Sequence, residues 1–309
     1  MKAGIVVLLG RPNVGKSTFL NAVLKDEISI VSSKAQTTRD QIRGIVTEER
    51  GQIVLIDTPG VHRARVGGIN EFMIQEVRRA LDGPDLVLYL VDPYSKREAE
   101  EMLLDHLKAS SASAFLIINK SDLLKRDTDR FLWLKDWAIT VDEVLKKTKC
   151  KFLGVREISA ERGHGVKELM DEIFTLMPEG HPLYDDPDAL TDRSSRFVVS
   201  ELIRKQLFIH LGDELPYSCA VEIESYHEDK KPIAIHAMIY VDRDSQKGMV
   251  IGSGGKKIKE IGSGARIEIE KLLGVQIYLE LRVKVMEGWS EDSRKMKSLG
   301  YALERKRSK

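Results

Sequence analysis

The sequence predicts an α/β fold with a mostly parallel sheet, followed by a second, smaller domain. Three observations carry this. Short apolar runs alternate with longer amphipathic segments up to about residue 177. A stretch containing three prolines then interrupts the pattern. Beyond it, strand-like alternation flanks a glycine-rich turn.

The apolar runs lie at residues 5–9, 53–56, 86–91, 115–118 and 152–158. Continuous apolar runs of this length suit strands covered on both faces. The segments at 17–24, 70–81, 98–107, 131–146 and 166–177 have helical spacing. Strand–helix alternation implies parallel strands with helices on both sides of the sheet. The break opens at Pro178-Glu179-Gly180-His181-Pro182 and continues through Tyr184-Asp185-Asp186-Pro187, a composition that reads as a linker. The expected domains are therefore 1–178 and 193–309, joined by a linker over 179–192. Thr191 or Asp192 is the expected cap of a helix over 197–207. Residues 219–225 and 233–241 alternate as an antiparallel pair would. A turn at 252–255 opens a helical pair reaching Leu273, and 275–285 alternates again.

The chain has 309 residues, 42% hydrophobic and 31% charged, which is an ordinary globular composition large enough for two cores. The net charge of +1 excludes nothing by itself, but its distribution is uneven. Residues 182–242 carry six Lys/Arg against twelve Asp/Glu, and residues 243–309 carry sixteen against nine. A basic end of this kind suits a nucleic-acid partner, or else a solvated face. Cys150 and Cys219 fit no metal or redox spacing, so a reducing, cytoplasmic setting is expected. The apolar start runs into a glycine loop rather than a cleavage site, so a buried strand is expected there and no signal peptide. No apolar stretch approaches membrane-spanning length.

The first strand runs into Gly10-Arg11-Pro12-Asn13-Val14-Gly15-Lys16-Ser17, followed by Thr18. This is the G-x-x-x-x-G-K-[ST] pattern of a phosphate-cradling loop. Its glycines let successive backbone N–H groups face phosphate oxygens, Lys16 reaches the terminal phosphates, and the Ser17 hydroxyl can bind Mg2+. Asp57-Thr58-Pro59-Gly60 ends the strand at 53–56. There Asp57 can hold Mg2+ through water and the Gly60 N–H can meet the terminal phosphate. Between these lies Ala35-Gln36-Thr37-Thr38-Arg39-Asp40, a switch segment in which Thr38, with Thr37 second, is the expected Mg2+ ligand.

Asn119-Lys120-Ser121-Asp122 follows the strand at 115–118. The Asp122 carboxylate can accept from N1–H and the 2-amino group of guanine, donors that adenine lacks. Asn119 can tie this loop to the phosphate loop, the Lys120 stem can cover the base, and Ser159-Ala160 offers a backbone N–H to the guanine O6. The pattern predicts binding and hydrolysis of GTP with Mg2+. The switch continues into Val61, where many small GTPases carry a water-orienting Gln. Either hydrolysis is slow until a partner acts, or another group takes over. Asn13 is a candidate potassium ligand, and bracing of the loop is its other reading.

These motifs, with Asp57-Thr58-Pro59-Gly60-Val61-His62, Glu214-Leu215-Pro216-Tyr217, Gly288-Trp289 and Ser298-Leu299-Gly300-Tyr301, resemble the Era family of bacterial translational GTPase relatives over nearly the whole chain. The resemblance implies a P-loop GTPase domain followed by a small α+β KH-type RNA-binding domain. Its G-x-x-G would be Gly252-Ser253-Gly254-Gly255, clamping single-stranded RNA. Lys256, Lys257, Lys259 and Arg266 would supply counter-charge, and Ile251, Ile258 and Ile261 the apolar side of the groove. It further implies a monomer that binds the 3′ end of 16S ribosomal RNA and assists maturation of the small (30S) ribosomal subunit. On this reading, GTP orders the loops at Thr38 and Gly60 and so redirects the RNA-binding domain. The alternative is a signalling GTPase peripheral to the inner membrane, its second domain docking protein or lipid through the basic end from Arg294 to Lys309.

Overall fold

The structure, a computed structural model, describes residues 1–31, 34, 37–60, 67–124, 128–212 and 214–303. The chain forms two compact units. One comprises Met1–Arg65 with Met73–Asp192, the other Val66–Phe72 with Arg193–Lys309.

The first unit holds β1 (Lys2–Gly10), β2 (Ile42–Glu48), β3 (Gly51–Asp57), β4 (Leu86–Val91), β5 (Ser113–Ile118) and β6 (Lys151–Glu157) in the order β2-β3-β1-β4-β5-β6. All pairings are parallel except β2 with β3. Helices α1 (Lys16–Leu24), α2 (Gly68–Ala80), α3 (Arg97–Lys108), α4 (Ser121–Leu124), α5 (Thr128–Leu145) and α6 (Val166–Leu176) accompany the strands. Every residue of β4 is buried, as its unbroken apolar run requires between two helix layers. Val7, Val54, Val87, Leu116 and Trp137 belong to one continuous core. The α/β expectation holds, with two additions. β2 was hidden because Gly44 interrupts its apolar run, and Gly44 is there because a Cβ would come within 2.5 Å of Leu20 Cδ1. α4 is a single turn, too short for periodicity to reveal.

Residues 183–192 are fixed against this unit. Gln52, 1% exposed, accepts from the Leu183 and Tyr184 N–H groups at 2.7 and 2.9 Å and donates to Tyr184 O at 3.0 Å. The Ile45 N–H donates to Leu190 O at 2.9 Å, and Arg43 pairs with Asp192 at 2.9 Å. With its carboxylate committed there, Asp192 does not cap the next helix. Ser194 does, accepting from the Phe197 N–H at 3.3 Å.

The second unit contains α7 (Ser195–His210), β7 (Ala220–His227), β8 (Ile233–Val241), α8 (Asp244–Ile251), α9 (Lys256–Leu273), β9 (Ile277–Val285) and α10 (Ser293–Ser298). Its sheet runs β7-β8-β9, with β7 antiparallel and β9 parallel to β8. The helical pair expected after the turn at 252–255 is corrected: the turn instead separates α8 from α9, and one helix follows it. Val199, Ile203, Ile235, Ala265 and Ile269 form one cluster, Leu207, Ile239, Val250 and Ile261 a second, and Ala220, Tyr240 and Trp289 a third. Cys150 and Cys219 are both buried free thiols.

Candidate GTP site and RNA groove

The loops at the C-terminal ends of β1, β3, β4 and β5 surround a cleft of about 830 Å³, lined among others by Arg11, Asn13, Gly15, Lys16, Ser17, Thr18, Thr37, Thr38, Gly60 and Lys120. Ligands of open α/β sheets bind at such strand ends. Asn13 and Gly15 have φ of +63° and +98°, so the loop curls back on itself before α1 begins at Lys16. That turn aims the helix N-terminus and its free N–H groups into the cleft. Val14 is buried beneath the loop, anchoring it.

Lys16 is buried, and its ammonium donates to Gly10 O at 2.8 Å and Arg11 O at 2.9 Å. Burial pulls its pKa down to about 8, against the opposing pull of Asp57 and Glu100. Asp57 is 0% exposed, and burial pushes its carboxyl up against Lys16 and three hydroxyls. Its Oδ2 accepts from Ser17 Oγ at 2.6 Å, Ser29 Oγ at 2.8 Å and Thr38 Oγ1 at 3.4 Å. Ser17 Oγ and Thr38 Oγ1 are 3.1 Å apart. Asp57 Oδ1 is buried without a hydrogen-bond partner among the described residues. A buried carboxylate oxygen left over beside converging hydroxyls is a hard-oxygen set that fits Mg2+. Thr38 sits in this set, whereas Thr37 Oγ1 donates to Ile30 O at 3.4 Å. Gly60 packs so closely on the phosphate loop that a Cβ would lie 2.5 Å from Pro12 N. Thr58 is structural, its hydroxyl donating to Leu8 O at 2.6 Å, and Pro59 is buried beside it. Val61, also expected in the switch, lies outside the described residues, as do Ala35 and Gln36.

At the other end, Asn119 Nδ2 donates to Val14 O at 2.8 Å, and its Oδ1 accepts from the Ala160 N–H at 3.0 Å. The tie between base loop and phosphate loop is therefore present. The Ala160 N–H, expected to face the guanine O6, is directed to Asn119. Lys120 Nζ donates to Asn13 O at 2.7 Å, the Ser121 N–H donates to Ile158 O at 3.0 Å, and Ser159 Oγ donates to Asp122 Oδ1 at 2.7 Å. Arg11, grouped with the phosphate-binding residues on sequence, turns its guanidinium away to Glu100 and Asp92; only its backbone can serve phosphates. Sequence reasoning missed Ser29, Asp92 and Glu100, which belong to no motif. Ser29 reaches Asp57 because Asn21 on α1 holds its loop through Ser29 O at 2.8 Å and Ser29 N at 3.1 Å.

In the second unit, Gly252, Gly254 and Gly255 have φ of +73°, +57° and +76°, so this turn is available almost only to glycine. It delivers the chain into the N-terminus of α9. A groove of about 300 Å³ runs between α9 and β9, lined by Ile258, Lys259, Gly262, Ser263, Arg266, Tyr278, Leu279, Glu280 and Leu281. Ser253, Gly254, Lys256, Lys259 and Arg266 are exposed, and Ile251 is half-buried. Two expectations are corrected. Ile261 is 0% exposed and packs in the core with Leu207 and Ile239, so it cannot touch RNA. One helical position before Ile258, Lys257 faces a different depression, with Leu211, Leu215 and Met249; the 100° turn per residue separates the two faces.

Known proteins match both halves. Residues 5–120 fit the family described as 50S ribosome-binding GTPase, and residues 214–290 fit the KH domain. GTPase Era of Geobacter metallireducens is 43% identical, covering 97% of this chain and 98% of its own. GTPase Era of Caldanaerobacter subterraneus is 40% identical, covering 98% and 99%. Two solved structures are similar at a TM-score of 0.90 and 32% identity, covering 98% of this chain and 100% of theirs. One is a tyrosine-to-alanine variant of Aquifex aeolicus Era bound to GDP and AlF4−; the other is Era with MgGDPNP and nucleotides 1506–1542 of 16S ribosomal RNA. Identity at this level over nearly the full length, on a phosphate loop, a guanine-reading loop and a KH turn that are all formed, places the chain in the GTPase Era family: it is a GTP-binding and GTP-hydrolysing protein with a KH-type RNA-binding domain.

Proposed function

We propose that this GTPase holds the 3′ end of 16S ribosomal RNA in the groove between α9 and β9 and serves maturation of the small ribosomal subunit in the cytoplasm. The observation that carries the reading is the groove itself, with the Gly252–Gly255 turn leading into α9, the helix that lines one side of it. The turn lets a sugar-phosphate backbone come close, the α9 dipole favours phosphates, and Lys256, Lys259 and Arg266 add counter-charge. The Era structure that contains 16S ribosomal RNA supports the choice of RNA. Gly254→Asp tests it. The added Cβ clashes with nothing, because no atom lies within 4 Å of its position, and aspartate tolerates the left-handed backbone better than most residues. The added charge is expected to weaken binding of a fluorescent RNA matching that 3′ end by about 10-fold or more. Unchanged affinity in a folded variant would remove the RNA-binding assignment. Docking of the second unit on a membrane is the less favoured alternative. No helix among the described residues is long and apolar enough to cross one, and the basic end beyond residue 303 lies outside them.

In the GTP site, Gly10–Thr18 receives the phosphates, Lys16 meets the terminal ones, and Ser17, Thr38 and, through water, Asp57 hold Mg2+. When bound, that ion neutralises charge developing on the phosphates. Asp122 reads the guanine N1–H and 2-amino group, and Asn119, Lys120, Ser121, Ser159 and Ala160 shape the pocket around the base. Asp122→Asn is expected to weaken GTP binding by about 100-fold and to leave RNA binding by the nucleotide-free protein unchanged; equal loss of both would contradict two separate sites.

Turnover is slow without a partner, since valine at position 61 has no group with which to orient water. Asn13 as a potassium ligand is the way this chain could supply positive charge at the transition state. Turnover is then expected to be at least about 10-fold faster in potassium than in sodium buffer, and equal rates would sink that role.

A further inference from the structure

Between the phosphate loop and the base loop lies a group of charged side chains whose two carboxylates no nucleotide-binding motif accounts for. Asp92, just after β4, and Glu100, on α3, are 2% and 0% exposed. Arg11 reaches between them. Its Nε donates to Glu100 Oε1 at 2.6 Å, and its Nη2 to Asp92 Oδ1 at 3.1 Å. The second Glu100 oxygen accepts from the Tyr89 hydroxyl at 2.7 Å, and the second Asp92 oxygen accepts from Lys120 Nζ at 2.7 Å. Two cations thus balance two carboxylates, the carboxylates buried and the Arg11 and Lys120 side chains 17% and 30% exposed.

Such a group is a poor device for stability. Desolvating its charges costs about what their pairing returns, and apolar side chains of similar volume would do as well. What it provides is position. Asp92 is shared between Arg11, from the phosphate loop, and Lys120, from the base loop. Both loops hold a non-glycine residue in the left-handed region, Asn13 at φ +63° and Lys120 at φ +57°. Backbone of that kind persists only where its surroundings over-determine it. Lys120 Nζ closes the link by donating to Asn13 O as well.

We infer that Asp92 is a positioning residue that couples the phosphate subsite to the base subsite, holding both loops in register so that a nucleotide gains its phosphate and guanine contacts together. The inference rests on the assignment of the cleft as the GTP site. Two effects are expected of Asp92→Asn, which keeps the shape and removes the charge. Release of a fluorescent GDP should accelerate by about 10- to 100-fold, the worth of one or two charge-assisted hydrogen bonds. Preference for GDP over inosine diphosphate, which lacks the 2-amino group, should also narrow, because the base loop keeps its ties through Asn119 and Asn13 but loses the charged one through Asp92.

Stopped-flow release and competition titrations read both, alongside the thermal midpoint. A residue that only supports the fold would lower the midpoint and leave the GDP preference unchanged. Arg11→Lys keeps the charge but cannot span both carboxylates, and an intermediate release rate, about 3- to 10-fold faster than wild type, is expected. It also carries the test if Asp92→Asn does not fold. Wild-type release from either folded variant, or faster release with an unchanged GDP preference, overturns the coupling. Failure of the unaltered protein to bind GDP would instead overturn the GTP-site assignment, so the two failures are distinct.

Discussion

Gly15→Ala is expected to lower GTP and GDP affinity by at least about 100-fold, a loss near 3 kcal/mol. Gly15 has φ +98°, and its carbonyl accepts from the Phe19 N–H at 2.9 Å as the cap of α1. Two costs add. The left-handed backbone costs an L-residue about 1–2 kcal/mol. The new Cβ would stand 2.2 Å from Asn119 Nδ2, so Asn119 must leave its bonds to Val14 O and the Ala160 N–H. That opens the phosphate loop and the base loop at once. Gly83→Ala is the control: Gly83 is also left-handed, at φ +80°, with nothing within 4 Å of its Cβ position. It should lose about 1 kcal/mol of stability and bind nucleotide normally. Titration with a fluorescent GDP decides the matter, and equal affinities in the two variants would contradict the collision argument.

The second large effect is on stability. Glu201→Gln should destabilise the second unit by about 3–5 kcal/mol. Arg204 on α7 is 1% exposed, and its Nε and Nη2 donate to the two Glu201 oxygens at 2.8 and 2.5 Å. A neutral amide cannot accept two bonds in that geometry or balance a guanidinium held out of water. Urea denaturation followed by hydrogen exchange at the α7 amides measures the loss where it arises. The comparison variant is Asp105→Asn, which breaks an ion pair whose side chains are 42% and 70% exposed; it should change little, because water and salt already screen such pairs. A midpoint for Glu201→Gln within the range of Asp105→Asn would show that Arg204 is neutralised by other means.

Much of this protein was legible before its structure. All five apolar runs became strands; those in β1, β3, β4 and β5 are buried because both faces of a parallel sheet are covered, whereas β6, at the sheet edge, is only half-buried. The phosphate loop, Asp57 and Asn119–Asp122 were legible because backbone geometry and hydrogen-bonding chemistry restrict which residues can serve, at spacings one βαβ unit imposes. β2 was not, because Gly44 answers to Leu20 on α1 rather than to its own strand. Nor was the cap of α7: Asp192 has the right chemistry, but Arg43 takes its carboxylate and Ser194 caps instead. Ile261 and Lys257 were misplaced because charge and hydropathy do not say which face of α9 meets the core.

The sequence by itself therefore determined the alternation of five strands with helices, the GTP chemistry, and the KH turn, whose backbone glycine accepts most readily. Only the tertiary structure decided which hydroxyls converge on Asp57, that Thr38 rather than Thr37 joins them, and that Asp92 and Glu100 stand between the two loops. The physical reason is that these contacts join residues 28, 19, 81 and 89 positions apart. Local propensity carries no record of pairings at that distance; the fold makes them by bringing strand ends to one edge of the sheet.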